Sequence, residues 1–260
     1  MKKILTIILL LVFGATAVCA QGLTLAQQAD SAYNKEDYRL AIDLYNRSLA
    51  TDGPGSDVYY NLGNAYYRND NIGKAIVAYE RALRIDPTNS DARFNLRYVN
   101  SRIQDRPEDD SAFLTNLHNG IMNSQTADAW AWIALTVFVL LLGAIALYIF
   151  APGIRMRKTG FFGGIVLLFA FIYALVLAQG SKAQARSHES AVVVVPSTQL
   201  SSAPRAARSS DHVVAIHEGT RVEIIDSVAT PDDPASPMWY NVKINNSTRA
   251  WLRSADVERI

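Results

Sequence analysis

The side chains able to do chemistry are few and scattered. His118, His188, His212 and His217 include no pair at the helical spacing that would aim two imidazoles at one metal; His212 and His217 are five apart in a strand-and-turn region. Serine, histidine and aspartate all occur, yet no nucleophile-elbow phrase frames a serine and no phosphate-cradling loop is present. Catalysis is therefore not expected, and neither a metal nor a cofactor is expected. The regularly spaced polar residues are asparagines: Asn61-Leu62 and Asn95-Leu96 recur 34 positions apart. What they do depends on the elements that hold them.

Composition narrows the classes. The 25 basic and 24 acidic residues of the 260 nearly cancel, so no basic excess marks a nucleic-acid partner. The apolar half of the chain is concentrated in three segments. The first, MKKILTIILLLVFGATAVCAQG, has Lys2 and Lys3, a short apolar run and small residues before Ala20. It reads as an export signal over residues 1–20, cut after Ala20, with an uncleaved anchor as the alternative. Val18 precedes Cys19 where a small residue is expected, so lipidation is not. Once cut, the chain has no thiol and no disulfide.

The other two segments read as membrane spans. Residues Trp130 to Phe150 hold no charge over 21 positions, which at ~1.5 Å per residue reaches about 31 Å, enough for a bilayer core. Phe161 to Ala178 is an uncharged run of 18. Trp130, Trp132 and Tyr148 fall near the two interfaces. The loop expected at 151–160 carries Arg155, Arg157 and Lys158 and no acid, so it should face the cytoplasm. Both large soluble segments should then lie outside it.

Residues 29–52 laid over 63–86 show seven identities: Tyr33/Tyr67, Ala41/Ala75, Ile42/Ile76, Tyr45/Tyr79, Arg47/Arg81, Leu49/Leu83 and Asp52/Asp86. A period of 34 with small and aromatic residues at fixed points predicts helix–turn–helix units. Gly63 and Ala75 let helices approach closely, and Leu62, Tyr66 and Tyr79 fill the space between them. This resembles the tetratricopeptide repeat family, most fully over Ser56–Asn89. Residues 21–106 are read as two repeats plus a capping helix from Ser90, made polar by Arg93, Arg97 and Arg102. The resemblance implies a concave groove recognising protein partners, lined by Tyr33, Tyr60, Asn61, Asn64, Tyr67 and Asn95, with the asparagines on the main chain of an extended peptide. Asparagines on a merely wet helix face are the other reading. A clamp for a C-terminal carboxylate is not expected, because Ala26, Asp30 and Asp91 occupy its places and Asp30 and Asp57 would repel an anion.

Residues 107–129 break at Pro107. Ser111 is placed to cap a helix with Phe113, Leu114, Leu117, Ile121 and Met122 on one side. A connecting helix packed on the repeats or the spans is expected, with a helix lying on the membrane as the alternative. Residues 179–190 read as a linker. Residues 191–260 hold short runs rich in Val, Ile, Trp and Tyr, with Asn245-Asn246 as a hairpin turn. Through His217-Glu218-Gly219-Thr220, Trp239-Tyr240-Asn241-Val242 and Ala250-Trp251-Leu252 this stretch resembles bacterial SH3-like domains, which implies a small all-β barrel. Trp239, Tyr240 and Trp251 are either its ligand face, with peptidoglycan as a ligand, or its core.

The expected fold is thus multi-domain: an all-α tetratricopeptide region, two transmembrane helices and a small all-β SH3-like barrel. That order resembles the BatE family of the Bacteroides-type aerotolerance operon. The resemblance implies a bacterial inner-membrane, two-pass scaffold with both modules periplasmic. It also implies von Willebrand-type membrane proteins of the same operon as partners and a role in envelope stress or aerotolerance.

Overall fold

The computed structural model describes residues 23–105, 113–186, 190–205, 214–229, 238–244 and 248–260. The export signal with Cys19, the Pro107 break, the Ser111 cap, His188, His212 and the Asn245-Asn246 turn lie outside the described residues.

Five helices form the N-terminal array: α1 (Leu25–Asn34), α2 (Tyr38–Thr51), α3 (Ser56–Arg68), α4 (Ile72–Ile85) and α5 (Ser90–Asn100). Their ends follow from capping chemistry. Thr24 and Gln27 make a reciprocal capping box at α1, Asp37 accepts the Leu40 N–H at α2, and Asn89 accepts the Ala92 N–H at α5. The turns within the two helix pairs are copies of each other, because Glu36 (φ 63°) and Asp70 (φ 59°), one period apart, both adopt the left-handed conformation. Small residues set the helix spacing: Ala29, Ala41, Ala65, Ala75 and Ala82 are fully buried. At Gly63 a Cβ would stand 2.6 Å from the Tyr79 ring, so only glycine admits that tyrosine.

After α6 (Phe113–Met122) come α7 (Ala127–Phe150) and α8 (Ile154–Arg186), two helices long and apolar enough to cross a membrane. They pack along each other as a hairpin, with Phe138 on Phe171 (centroids 5.3 Å apart) and Tyr148 on Phe161 (5.8 Å). A Cβ at Gly160 would lie 2.7 Å from Tyr148 N, so the helices touch backbone to backbone there. Only 11% of each apolar window is buried, whereas a core helix of a soluble protein would be mostly buried. Pro152 holds Ala151 extended and stops α7. The connection is shorter than the loop expected at 151–160. Arg155, Arg157 and Lys158 lie in the first turns of α8, where Arg157 Nε donates to the Ala151 carbonyl (2.8 Å). At its other end α8 runs on to Arg186, through a stretch expected as linker. Ser181-Lys-Ala-Gln-Ala-Arg186 offers helix formers and no breaker, so the helix continues.

The C-terminal part is an antiparallel sheet. Its strands are β1 (Ser190–Val193), β4 (Arg221–Ala229), β5 (Met238–Lys243), β6 (Arg249–Arg253) and β7 (Val257–Arg259), in the order β6-β5-β4-β1-β7. A separate pair joins β2 (Ser197–Gln199) to β3 (Ala215–His217). Among the described residues β6 and β7 end the five-stranded sheet, with an isolated Ser201–Trp251 bridge beyond β6, so the expected barrel is not closed. The core of this part is Ala191, Val193, Leu200, Ile216, Val222, Val242, Leu252 and Val257.

The two soluble parts pack on each other. Along β1, Ala191 and Val193 face the sheet's own core. Val192 points the other way, into a cluster with Ile76, Tyr79, Leu96, Val99, Ile103 and Ile260. The run Ala191–Val195 is continuously apolar because β1 is buried on both faces. The expectation that α5 alone would cap the array is corrected here. The strands β1 and β7 contact α4, and Leu96 and Val99 of α5 join Val192 and Ile260 in the shared cluster, so α5 does not close the array by itself. Since residues before the hairpin contact residues after it, both soluble parts lie at the same end of α7 and α8.

Candidate functional site

Two adjoining cavities of about 360 and 190 Å³ open along the groove of the array, sharing Tyr33 and Asn64. The first is lined by Asp30, Tyr33, Asn34, Tyr45, Asn61 and Asn64, the second by Tyr67, Arg68, Tyr79, Asn95 and Tyr98 among others. Of the six residues expected here, Tyr33, Asn61, Asn64, Tyr67 and Asn95 line these cavities. Tyr60 does not; its ring leans on Tyr79 (6.2 Å) and packs toward the core.

The polar floor is a triad written twice. The Tyr45 hydroxyl donates to Asp30 Oδ1 (2.5 Å), which also accepts from Asn61 Nδ2 (3.3 Å). One period on, the Tyr79 hydroxyl donates to Asn64 Oδ1 (2.7 Å), which accepts from Asn95 Nδ2 (2.8 Å). Each triad ties the two helices of one unit to the first helix of the next. The asparagines are therefore not on a plainly wet face: each spends an amide N–H across the repeat boundary while its side chain still borders a cavity. Sequence reasoning missed Asp30 and Tyr45 as lining. The signal was available, because the same offset that pairs Asn61 with Asn95 pairs Asp30 with Asn64 and Tyr45 with Tyr79.

Burial raises the Tyr79 phenol, and burial with the Asp30 hydrogen bond raises Tyr45, so both remain protonated donors at neutral pH. Burial also raises Tyr33, against the opposing pull of Arg68. At the far rim Arg102 Nη1 donates to the Tyr67 hydroxyl (3.1 Å), and its guanidinium lies 4.4 Å over the Tyr98 ring. The groove offers aromatic faces, amides, the Asp30 carboxylate and the Arg68 guanidinium. Among the described residues no group of three or more His, Cys, Asp or Glu is placed to hold a metal ion.

The sheet docks through residues that line neither cavity. Glu218 Oε1 accepts the Gly73 N–H (2.7 Å), Arg221 pairs with Glu80 (2.9 Å), and Arg81 Nη1 pairs with Glu258 (2.8 Å). Arg81 Nη2 also donates to the Arg259 carbonyl (2.5 Å), and Arg84 donates to the Ile260 carbonyl. Asp105 receives the His217 N–H at 2.7 Å, the Thr220 hydroxyl at 2.9 Å and His217 Nδ1 at 3.2 Å. Burial alone would raise the Asp105 carboxyl. The hydrogen bonds from His217 and Thr220 outweigh burial and hold it below its ordinary value. Gly219, at φ 90°, presses on the array so closely that a Cβ would meet Ile103 at 2.5 Å. His217-Glu218-Gly219-Thr220 is thus a latch onto the array.

Trp239, Tyr240 and Trp251 do not form one exposed face. Trp239 is 2% exposed, and strand alternation turns Tyr240 to the opposite side of β5, toward Val242 and Leu252. Trp251 pairs with Asn241 and is half-buried.

Residues 56–89 match the Tetratricopeptide repeat family, covering α3, α4 and the turn after them. No curated protein matches the chain. Tetratricopeptide repeats point to protein partners in general.

Proposed function

We propose that this chain is a non-enzymatic membrane adaptor whose groove holds an extended segment of a partner protein. The observation that carries this reading is the doubled Tyr–Asp/Asn–Asn floor beneath two linked cavities. Tyrosine faces give contact area at low entropic cost, and amides suit a peptide main chain. Asp30 in the first cavity and Arg68 in the second give the groove both signs of charge, which suits a segment of mixed or no charge rather than a strongly acidic or basic one.

The hairpin of α7 and α8 anchors the head in a bacterial inner membrane. Arg155, Arg157 and Lys158 at the short turn favour a cytoplasmic turn and periplasmic soluble parts. The open sheet is an SH3-like domain by its motifs, and its role here is to brace the array. The buried Trp239 and the divided aromatics argue against peptidoglycan as its ligand. The resemblance to BatE-type proteins supports a place in envelope-stress or aerotolerance complexes with von Willebrand-type partners.

The test places a photo-crosslinking amino acid at Tyr33 or Tyr67 in the full chain in cells, with exposed Arg39 as control. Defined protein adducts at the two groove positions and none at Arg39 are expected. Identical adduct patterns at all three positions would remove the groove from the account. Protease added to spheroplasts should digest both soluble parts; protection until detergent is added would reverse the orientation.

A further inference from the structure

We infer that α6 is a third membrane contact: a short helix at the boundary between lipid headgroups and acyl chains, with Phe113, Leu114 and Leu117 covered by lipid. The inference rests on reading α7 and α8 as a spanning hairpin.

At 100° per residue, the ten residues FLTNLHNGIM divide into three sectors. Phe113, Leu117, Ile121 and Leu114 occupy an arc of about 100°. His118 and Met122 come next, within about another 80°. Thr115, Asn119, Asn116 and Gly120 fill the remainder. The second sector faces the hairpin. Met122 is buried, and its carbonyl accepts Trp130 Nε1 (3.1 Å) and the Ser181 hydroxyl (3.3 Å). His118 Nδ1 lies 3.3 Å from the Tyr173 hydroxyl. Most of the first sector is exposed, with Phe113 at 78%, Leu114 at 73% and Leu117 at 49%, while Ile121, beside Met122, is half-buried.

The contacts set the depth. Tyr173 is five residues inside the end of the apolar run at Ala178, and Ser181 three residues beyond it. At ~1.5 Å per residue, His118 therefore meets α8 roughly 8 Å inside the end of the apolar run and Met122 meets it about 4–5 Å beyond that end, a span that brackets the depth at which amphipathic helices rest in an interface. No Lys, Arg, Asp or Glu occurs in α6, so the attraction is to acyl chains and is independent of headgroup charge. Arg93 of α5 donates to the Asn123 carbonyl just past α6 (2.8 Å), so this contact fixes how high the groove stands above the bilayer.

The experiment uses the full chain with Cys19→Ser, reconstituted in phosphatidylcholine nanodiscs. Spin labels are attached at Phe113→Cys, Leu117→Cys, Asn119→Cys and, within the hairpin, Phe169→Cys. Collisions with oxygen report acyl chains, and collisions with a neutral nickel chelate report water. The expected result is that positions 113, 117 and 169 favour oxygen and that 119 favours nickel. If 113 and 117 behave like 119 while 169 stays in lipid, the inference falls and the hairpin stands. If 113 and 117 are shielded from both probes, protein covers them and the inference also falls. If 169 itself meets water, the spanning reading fails and carries the inference with it.

Discussion

Replacing Asp105 by alanine should release the sheet from the helical array without unfolding either. The carboxylate receives three hydrogen bonds from the 217–220 turn, the shortest from the His217 N–H at 2.7 Å. Bonds to a charged group contribute about 1.5–3 kcal/mol each, but the Asp105 side chain is 31% exposed and water screens it, so the low end applies. The Thr220 hydroxyl keeps a second acceptor, the His217 carbonyl at 2.7 Å, whereas the part-buried His217 N–H would be left without one. Together these terms come to about 2–4 kcal/mol, a roughly 30- to 800-fold rise in the undocked population. Hydrogen exchange of the full chain in nanodiscs reads this directly. The Gly73 amide, whose N–H is given across the dock to Glu218, should speed up by that factor, while amides bonded within α1, α2 and the sheet keep their protection. Asp105→Asn, which retains an acceptor, should show a smaller effect. Gly219→Ala should act the same way from the other side, through about 1 kcal/mol of backbone strain at φ 90° and ~1–3 kcal/mol of overpacking against Ile103. Unchanged exchange in Asp105→Ala, or loss of protection throughout α1 to α5 together, would refute the idea of a local latch.

Gly63→Ala should lower the thermal midpoint of the array, because the new Cβ strikes the buried Tyr79 ring. The expected cost of ~1–3 kcal/mol exceeds the ~0.4–1 kcal/mol that losing a glycine would return; an unchanged midpoint would count against the close crossing. Gly160→Val should separate α7 from α8, and disulfide yield between Phe138→Cys and Phe171→Cys in the Cys19→Ser background should drop with it. Acidification should undock the sheet. Because the folded Asp105 carboxyl lies below its unfolded value of about 3.9, its contribution is complete above that value and is lost as pH falls through the folded one. Near-UV circular dichroism on descent from neutral pH should show a transition below about pH 4 that is absent in Asp105→Asn; its persistence in that variant would point to another group.

The period of 34 was legible because a repeat writes its local rules twice: the same small residue at a crossing, the same tyrosine beneath it. Both apolar helices were legible because an uninterrupted apolar run long enough to cross a bilayer shows in the sequence whatever its neighbours. The ends of α8 were less so, since nothing after Ala178 breaks a helix and composition alone suggested a linker. The valine run of β1 read as a short strand, but that both its sides would be buried, and by what, was not legible. That cover, the partners of Asn61 and Asn95, and the use of His217–Thr220 as a latch were decided by tertiary structure. Helix caps and hydrophobic periodicity act over a few residues, so a sequence displays them. Asp105 and His217 are 112 positions apart, and only packing of the array against the sheet brings the carboxylate to the turn.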